Sequence, residues 1–138
     1  MAADMSDTLV VAVSQSGTTT DTNRTVDLIR QRGGHIIAIV NRRGSDLTDK
    51  SHGVLYTSDG RDVEMSVAST KAFYAQVVAG VLLSSALANL IDTTRDQTEI
   101  LSALRQLPES MEQVLATRPS IAMAAQRHAP QKLSLIHI

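Results

Sequence analysis

The sequence predicts an α/β fold, a three-layer sandwich in which a small parallel sheet lies between helices. Residues 9–13 and 35–40 form continuous apolar runs rich in β-branched side chains, as is typical of strands covered on both faces. The segment between them has an apolar helical spacing at Val26 and Ile29 and ends at Gly33-Gly34. Strands that alternate with helices pair in parallel through right-handed crossovers.

The rest of the chain is predicted to form shorter elements. In chain order these are a loop at 41–46, a helical turn at 46–51, a strand at 54–57, a turn-rich connection at 58–62, and helices at 69–91, 98–107 and 109–116. Pro108 and Pro119 are expected to separate the last helices. Asp21 or Thr22 is expected to cap the first helix.

Composition limits the classes of function. With 138 residues, 43% of them hydrophobic, the chain can form a core of ordinary size. A net charge of −1 and only three aromatic residues (Tyr 2, Phe 1, Trp 0) argue against nucleic acid and against an anionic membrane surface as partners. No cysteine is present, which excludes disulfides, thiolate metal sites and cysteine nucleophiles, and fits a cytoplasmic location.

Residues 72–91 carry no charge and are about long enough to cross a bilayer. Gln76, Ser84, Ser85 and Asn89 lower the hydrophobicity of this stretch. We therefore expect a helix buried on most faces, by packing or by a partner subunit, and no membrane span. The histidines have no metal-ligand spacing, so no metal site is predicted. Arg42, Arg43 and Arg61 are expected to be solvated loop charges.

A hydroxyl-rich loop follows the first predicted strand. It contains Ser14, Ser16, Gly17, Thr18, Thr19 and Thr20. A helix that starts there presents backbone N–H groups and the positive end of its dipole, while glycine allows close backbone approach. Serine, glycine and threonine are also ordinary turn and capping residues, so the loop by itself does not distinguish a binding site from an ordinary strand-to-helix turn. A phosphate-bearing ligand is the functional prediction.

A second segment leads through small hydroxyl residues into a long helix, with the sequence Val-Ala-Ser-Thr-Lys-Ala-Phe at 67–73. Two such helix starts can converge on one ligand. With both present, the chain resembles the sugar isomerase (SIS) domain, and most closely the first of the two such domains in isomerising glutamine:fructose-6-phosphate aminotransferases. The resemblance runs from about Thr8 to about Ala88, and more loosely to Ala116. It implies the flavodoxin-like fold of that family.

The resemblance implies a binding site for a sugar phosphate, without a cofactor or a catalytic group. Ser14, Ser16 and Thr19 would bind the phosphate, with Gln15 beside them and the backbone of Gly17 and Thr18 completing the loop. The family usually has glutamate where this chain has Thr18, which raises a question about specificity. On the opposite wall the resemblance gives Val67 and Ser69 the sugar, and leaves Glu64, Thr70 and Lys71 without a defined role.

The resemblance also implies partners. These are a phosphorylated sugar such as fructose-6-phosphate, a second SIS domain, a glutaminase domain and a second copy of the parent enzyme. Residues 1–130 are expected to be a truncated SIS domain that lacks its first strand-helix unit and binds without catalysing. Residues 131–138 are expected to be a non-native tail, or else the start of a further strand. The alternatives left open are a sugar-phosphate-sensing regulatory module and a phosphosugar aldose-ketose isomerase.

Overall fold

The computed structural model describes residues 3–59, 71–92, 94 and 96–128. The chain divides into two compact units, Met1–Arg95 and Asp96–Ile138. The elements of the first unit are β1 (Leu9–Ser14), α1 (Thr20–Gln31), β2 (His35–Val40), α2 (Asp46–Lys50), β3 (Gly53–Tyr56) and α3 (Lys71–Ile91). Those of the second are α4 (Thr98–Ala116) and α5 (Arg118–His128).

The sheet has the strand order β1-β2-β3, and both pairings are parallel. Strand β1 pairs with β2 from Leu9 opposite His35 to Ser14 opposite Val40. Val40 is in turn opposite Tyr56 of β3. The carboxyl ends of all three strands therefore meet at one edge of the sheet, which is where ligands bind in open parallel sheets.

The core lies on the face of the sheet that α1 and α2 cover. Alternate residues of β2, which are Ile36, Ala38 and Val40, are fully buried there, together with Val26 of α1 and Leu47 of α2. On the other face Ile39 is also buried. Because α3 contacts β2 as well, it forms the third layer. The structure thus confirms the predicted three-layer fold with a small parallel sheet.

Helix α3 corrects one expectation. Of its residues only Ala72 is buried, and apolar side chains such as Tyr74 and Leu90 are largely exposed. The expected burial of this helix by packing is therefore wrong for the described part of the chain, and burial by a partner subunit stays a prediction. Within that part of the chain, α3 is the one helix that has the length and apolar character to cross a membrane.

Two predicted helix boundaries were also wrong. Helix α1 begins earlier than expected, with Thr19 as its N-cap in place of Asp21 or Thr22. Helix α4 continues through Pro108, where a break was predicted. No residue of α4 is buried, so water can bond the carbonyl that loses its partner to proline, and the helix does not have to end. Pro119 lies in the first turn of α5, where proline is tolerated.

The start of β3 is held to β2 through both the backbone and the side chain of His52. Its backbone N–H donates to the carbonyl of Ile36 at 2.9 Å. Its ring Nδ1 accepts from the N–H of Ile36 at 3.0 Å, in the place where a strand would supply a carbonyl. The His35 ring packs edge-on against the His52 ring, with the centroids 5.2 Å apart.

We expect His52→Leu to lower the free energy of unfolding by about 1–3 kcal/mol, because it leaves the buried N–H of Ile36 without an acceptor. Urea denaturation measures the change. His35→Leu is the matched control, since it removes the ring contact and leaves the hydrogen bond, and it should cost less than about 1 kcal/mol. Equal losses in the two variants would contradict the role given to Nδ1.

Candidate functional site

The loop between β1 and α1 lies at the carboxyl edge of the sheet and is held by its carbonyl groups. The carbonyl of Gln15 accepts from the backbone N–H groups of Asn41 at 3.2 Å and Arg42 at 3.3 Å. The carbonyl of Gly17 accepts from the N–H of Leu47 at 3.1 Å. The segments that follow β2 and begin α2 therefore fix the shape of this loop.

Asn23 of α1 holds the loop as well. Its side-chain Nδ2 donates to the carbonyl of Gly17 at 3.0 Å and to that of Thr19 at 3.1 Å. Its backbone N–H also donates to the carbonyl of Thr19, at 3.0 Å. The carbonyls of Gln15, Gly17 and Thr19, which are alternate residues of the loop, thus all accept hydrogen bonds from other parts of the domain.

This pattern sets the direction of the N–H groups. None of the described peptide bonds is cis, and in a trans peptide the N–H points opposite to the carbonyl of the preceding residue. The N–H groups of Ser16, Thr18 and Thr20 therefore point away from the groups that hold the loop. N–H groups that face one side at the start of a helix can bind an anion, and here they come from alternate residues of the loop.

The hydroxyl groups of the loop divide into two kinds. Ser14 is buried, and its Oγ accepts from the N–H of Gly17 at 3.0 Å, so its oxygen supports the turn while its O–H can still donate. The Oγ of Ser16 accepts from the N–H of Thr18 at 3.3 Å and from its Oγ1 at 3.0 Å. The hydroxyl proton of Ser16 can then be donated outward. Thr18 and Thr19 are exposed, and the Thr19 side chain makes no capping bond to α1.

Of the residues predicted for the opposite wall of the site, only Lys71 is among the described residues. The predicted residues Glu64, Val67, Ser69 and Thr70 lie outside the described residues. Lys71 begins α3 and lines a cavity of about 130 Å³ with Asn41, Thr57, Ser58, Ala72 and Ala75. The Oγ1 of Thr57 donates to the Oδ1 of Asn41 at 3.2 Å, which ties the ends of β2 and β3 together beside this cavity. Lys71 thus lies near the strand ends that also hold the loop.

Asn23 and Asn41 were not predicted from the sequence as part of this region. Asn23 is three residues before Val26 and six before Ile29, so it is a polar residue on the buried face of α1. That position was the available signal, because buried polar side chains are usually hydrogen-bonded to something specific. Asn41 gave no comparable signal, since it was one polar residue in a polar loop.

The arginines expected to be solvated loop charges are described at two of their three positions. The guanidinium of Arg43 lies over the Tyr56 ring, 4.1 Å from its centroid, and Arg42 is exposed. Arg61 lies outside the described residues. In the described part of the chain, no three histidine, aspartate or glutamate side chains form a group that could hold a metal ion.

The parallel sheet with a hydroxyl-rich loop at its carboxyl edge is typical of α/β domains that bind phosphate-bearing ligands. Comparison with known proteins identifies the family. Residues 2–86 match the model of the SIS domain, so the chain belongs to the SIS domain family. It is 42% identical over 127 residues to the glutamine--fructose-6-phosphate aminotransferase [isomerizing] of Corynebacterium glutamicum, an alignment that covers 91% of this chain and 20% of that protein. The protein of the same name from Thermus thermophilus is 36% identical over 128 residues, with 88% and 20% covered.

A solved structure supports the same relationship. The C-terminal domain of glucosamine-fructose-6-phosphate aminotransferase from Francisella tularensis superposes with a TM-score of 0.74 and 28% identity, over 87% of this chain and 34% of that one. The sequence resemblance to this family is therefore confirmed. The chain spans about a fifth of the length of the curated relatives it matches.

The structure leaves no room for a side chain at Gly17. Its φ is +68°, and a Cβ placed there would lie 2.7 Å from the Cβ of Ser45 and 3.1 Å from the Cγ2 of Val40. We expect Gly17→Ala to cost about 2–4 kcal/mol of unfolding free energy, from the left-handed backbone and the steric overlap together. Thermal and urea unfolding of the purified chain measure it.

Gly44 provides the control. Its φ is +60°, but a Cβ there would meet nothing within 4 Å. Gly44→Ala should therefore show only the backbone cost, about 1–2 kcal/mol. If Gly17→Ala is no more destabilising than Gly44→Ala, the close packing of the loop on Ser45 is not a constraint on this residue.

Proposed function

We propose that this chain binds a phosphorylated sugar and that the loop over residues 14–19 holds the phosphate. The observation that carries the proposal is the orientation of the loop, whose carbonyls at Gln15, Gly17 and Thr19 are tied inward. A phosphate dianion needs several donors and no facing carbonyl oxygen. The outward N–H groups, the Ser16 hydroxyl and the positive end of the α1 dipole together match that requirement.

The proposed sugar is a ketohexose phosphate, fructose-6-phosphate. The support for this choice is the name of the relatives, which are glutamine--fructose-6-phosphate aminotransferases. The residues proposed for the phosphate are Ser14, Gln15, Ser16, Gly17, Thr18 and Thr19. Val67 and Ser69 are proposed for the sugar, with Glu64, Thr70 and Lys71 available on the same wall.

We infer that the chain contributes binding and not chemistry to a larger aminotransferase that makes glucosamine-6-phosphate. Release of ammonia from glutamine by a cysteine cannot occur here, because the chain has no cysteine. The proposed partners are a glutaminase domain, a second SIS domain and a second copy of the whole enzyme, in the cytoplasm. Holding a substrate by its non-reacting phosphate still assists the reaction, because remote binding energy orients the reacting end.

Ser16→Ala tests the proposed phosphate site. The change removes one charge-assisted hydrogen bond to the phosphate, with a cost of about 1.5–3 kcal/mol, so affinity for fructose-6-phosphate should fall by about ten- to a hundredfold. Titration calorimetry with the purified chain measures the affinity. Binding of unphosphorylated fructose is the control and should change little, because fructose lacks the group that this hydroxyl serves.

Two outcomes would count against the proposal. Equal losses for fructose-6-phosphate and fructose would mean that Ser16 maintains the shape of the loop through its bonds to Thr18. No binding of fructose-6-phosphate by the unsubstituted chain would remove the proposed function of the loop itself.

A further inference from the structure

We propose that Asn23 is a positioning residue for the phosphate site. Its side-chain amide holds the carbonyls of Gly17 and Thr19 inward. It thereby sets the direction of the N–H of Thr20, and of the N–H of Thr18 that donates to the Ser16 hydroxyl oxygen. The proposal rests on the proposed function of the loop and adds to it a residue that orients the peptide groups of the loop. Asn23 itself touches no ligand in this arrangement.

Asn23 is a buried side chain that holds two backbone carbonyls at once. The residue is 6% exposed and lies in the first turn of α1. One nitrogen, Nδ2, serves two carbonyl oxygens, at 3.0 Å from Gly17 and 3.1 Å from Thr19. These two carbonyls belong to the peptide groups that carry the N–H of Thr18 and the N–H of Thr20. One side chain therefore helps to hold two of the peptide planes that would meet the phosphate.

The other end of the same side chain gives an independent indication. The Oδ1 of Asn23 is buried and has no hydrogen-bond partner among the residues that the structure describes. A buried acceptor without a donor destabilises a fold, and an apolar side chain of similar size would avoid that cost. Packing alone therefore does not account for asparagine at this position, whereas its two donated bonds do.

The bonds from Asn23 act on the site in two ways. They add to the restraint on the two peptide planes, and so help to keep each carbonyl oxygen from turning toward the anion. They also polarise each peptide group, which makes its N–H a better donor. Each carbonyl has a second tether, the N–H of Leu47 for Gly17 and the backbone N–H of Asn23 for Thr19. Loss of the side chain should consequently weaken the site without abolishing it.

Asn23→Leu separates this role from a merely structural one. The variant removes both donated bonds and also removes the buried unpaired oxygen. We expect its unfolding midpoint in urea to equal or exceed that of the unsubstituted chain. Its affinity for fructose-6-phosphate and for inorganic phosphate, measured by calorimetry, should fall by about five- to tenfold for both ligands.

Two further variants complete the test. Asn23→Asp places a carboxylate oxygen against two carbonyl oxygens and should weaken phosphate binding more than Asn23→Leu does. Thr25→Val is the control, because its hydroxyl donates only within α1, to the carbonyl of Asp21 at 2.8 Å, and binding should be unchanged. If Asn23→Leu does not fold, Asn23→Ala removes the same donors without adding bulk and tests the same expectation.

Unchanged affinity in folded Asn23→Leu or Asn23→Ala would overturn the proposal, whatever happens to stability. So would an equal loss of affinity in Thr25→Val. If the unsubstituted chain binds neither fructose-6-phosphate nor phosphate, the proposed function of the loop fails first, and this inference fails with it.

Discussion

Strand β2 is the element on which the remaining structure depends. It is the one described strand that is paired on both edges, with β1 on one side and β3 on the other. One of its faces packs on α1 and α2, and α3 contacts it as well. The residues just beyond its carboxyl end, Asn41 and Arg42, hold the carbonyl of Gln15. The hydrophobic burial that orders β2 therefore also places the donors that shape the loop.

The proposed site combines a loop held from inside the domain with little fixed charge. Its outward donors come from backbone groups and hydroxyls, while the polar side chain of Asn23 and the N–H of Leu47 act from behind. Such a site selects among ligands by the direction of its hydrogen-bond donors more than by the charge of the ligand. It fits a phosphate group held at a helix N-terminus, where preorganised dipoles replace the water that the anion loses.

The sequence predicted the fold because its signals are local. The apolar runs at residues 9–13 and 35–40 predicted β1 and β2, and the Ser-Gly-Thr loop indicated the region of the proposed site. Asn23 was not predicted as part of that region, since its role depends on where Gly17 and Thr19 lie after folding. The break expected at Pro108 was wrong because exposure of α4 reduces what proline costs, and exposure of a helix is a tertiary property.

The tethers of the loop also bear on the order of folding. The carbonyls of Gln15 and Gly17 are held by Arg42 and Leu47, which lie about thirty residues further along the chain. These bonds can close only after β1 and β2 have paired in parallel and the chain has turned into α2. Contacts between distant parts of the chain form late because closing the intervening loop costs entropy. The loop geometry proposed for anion binding should therefore be among the last features the domain acquires as it folds, and among the first it loses as it opens.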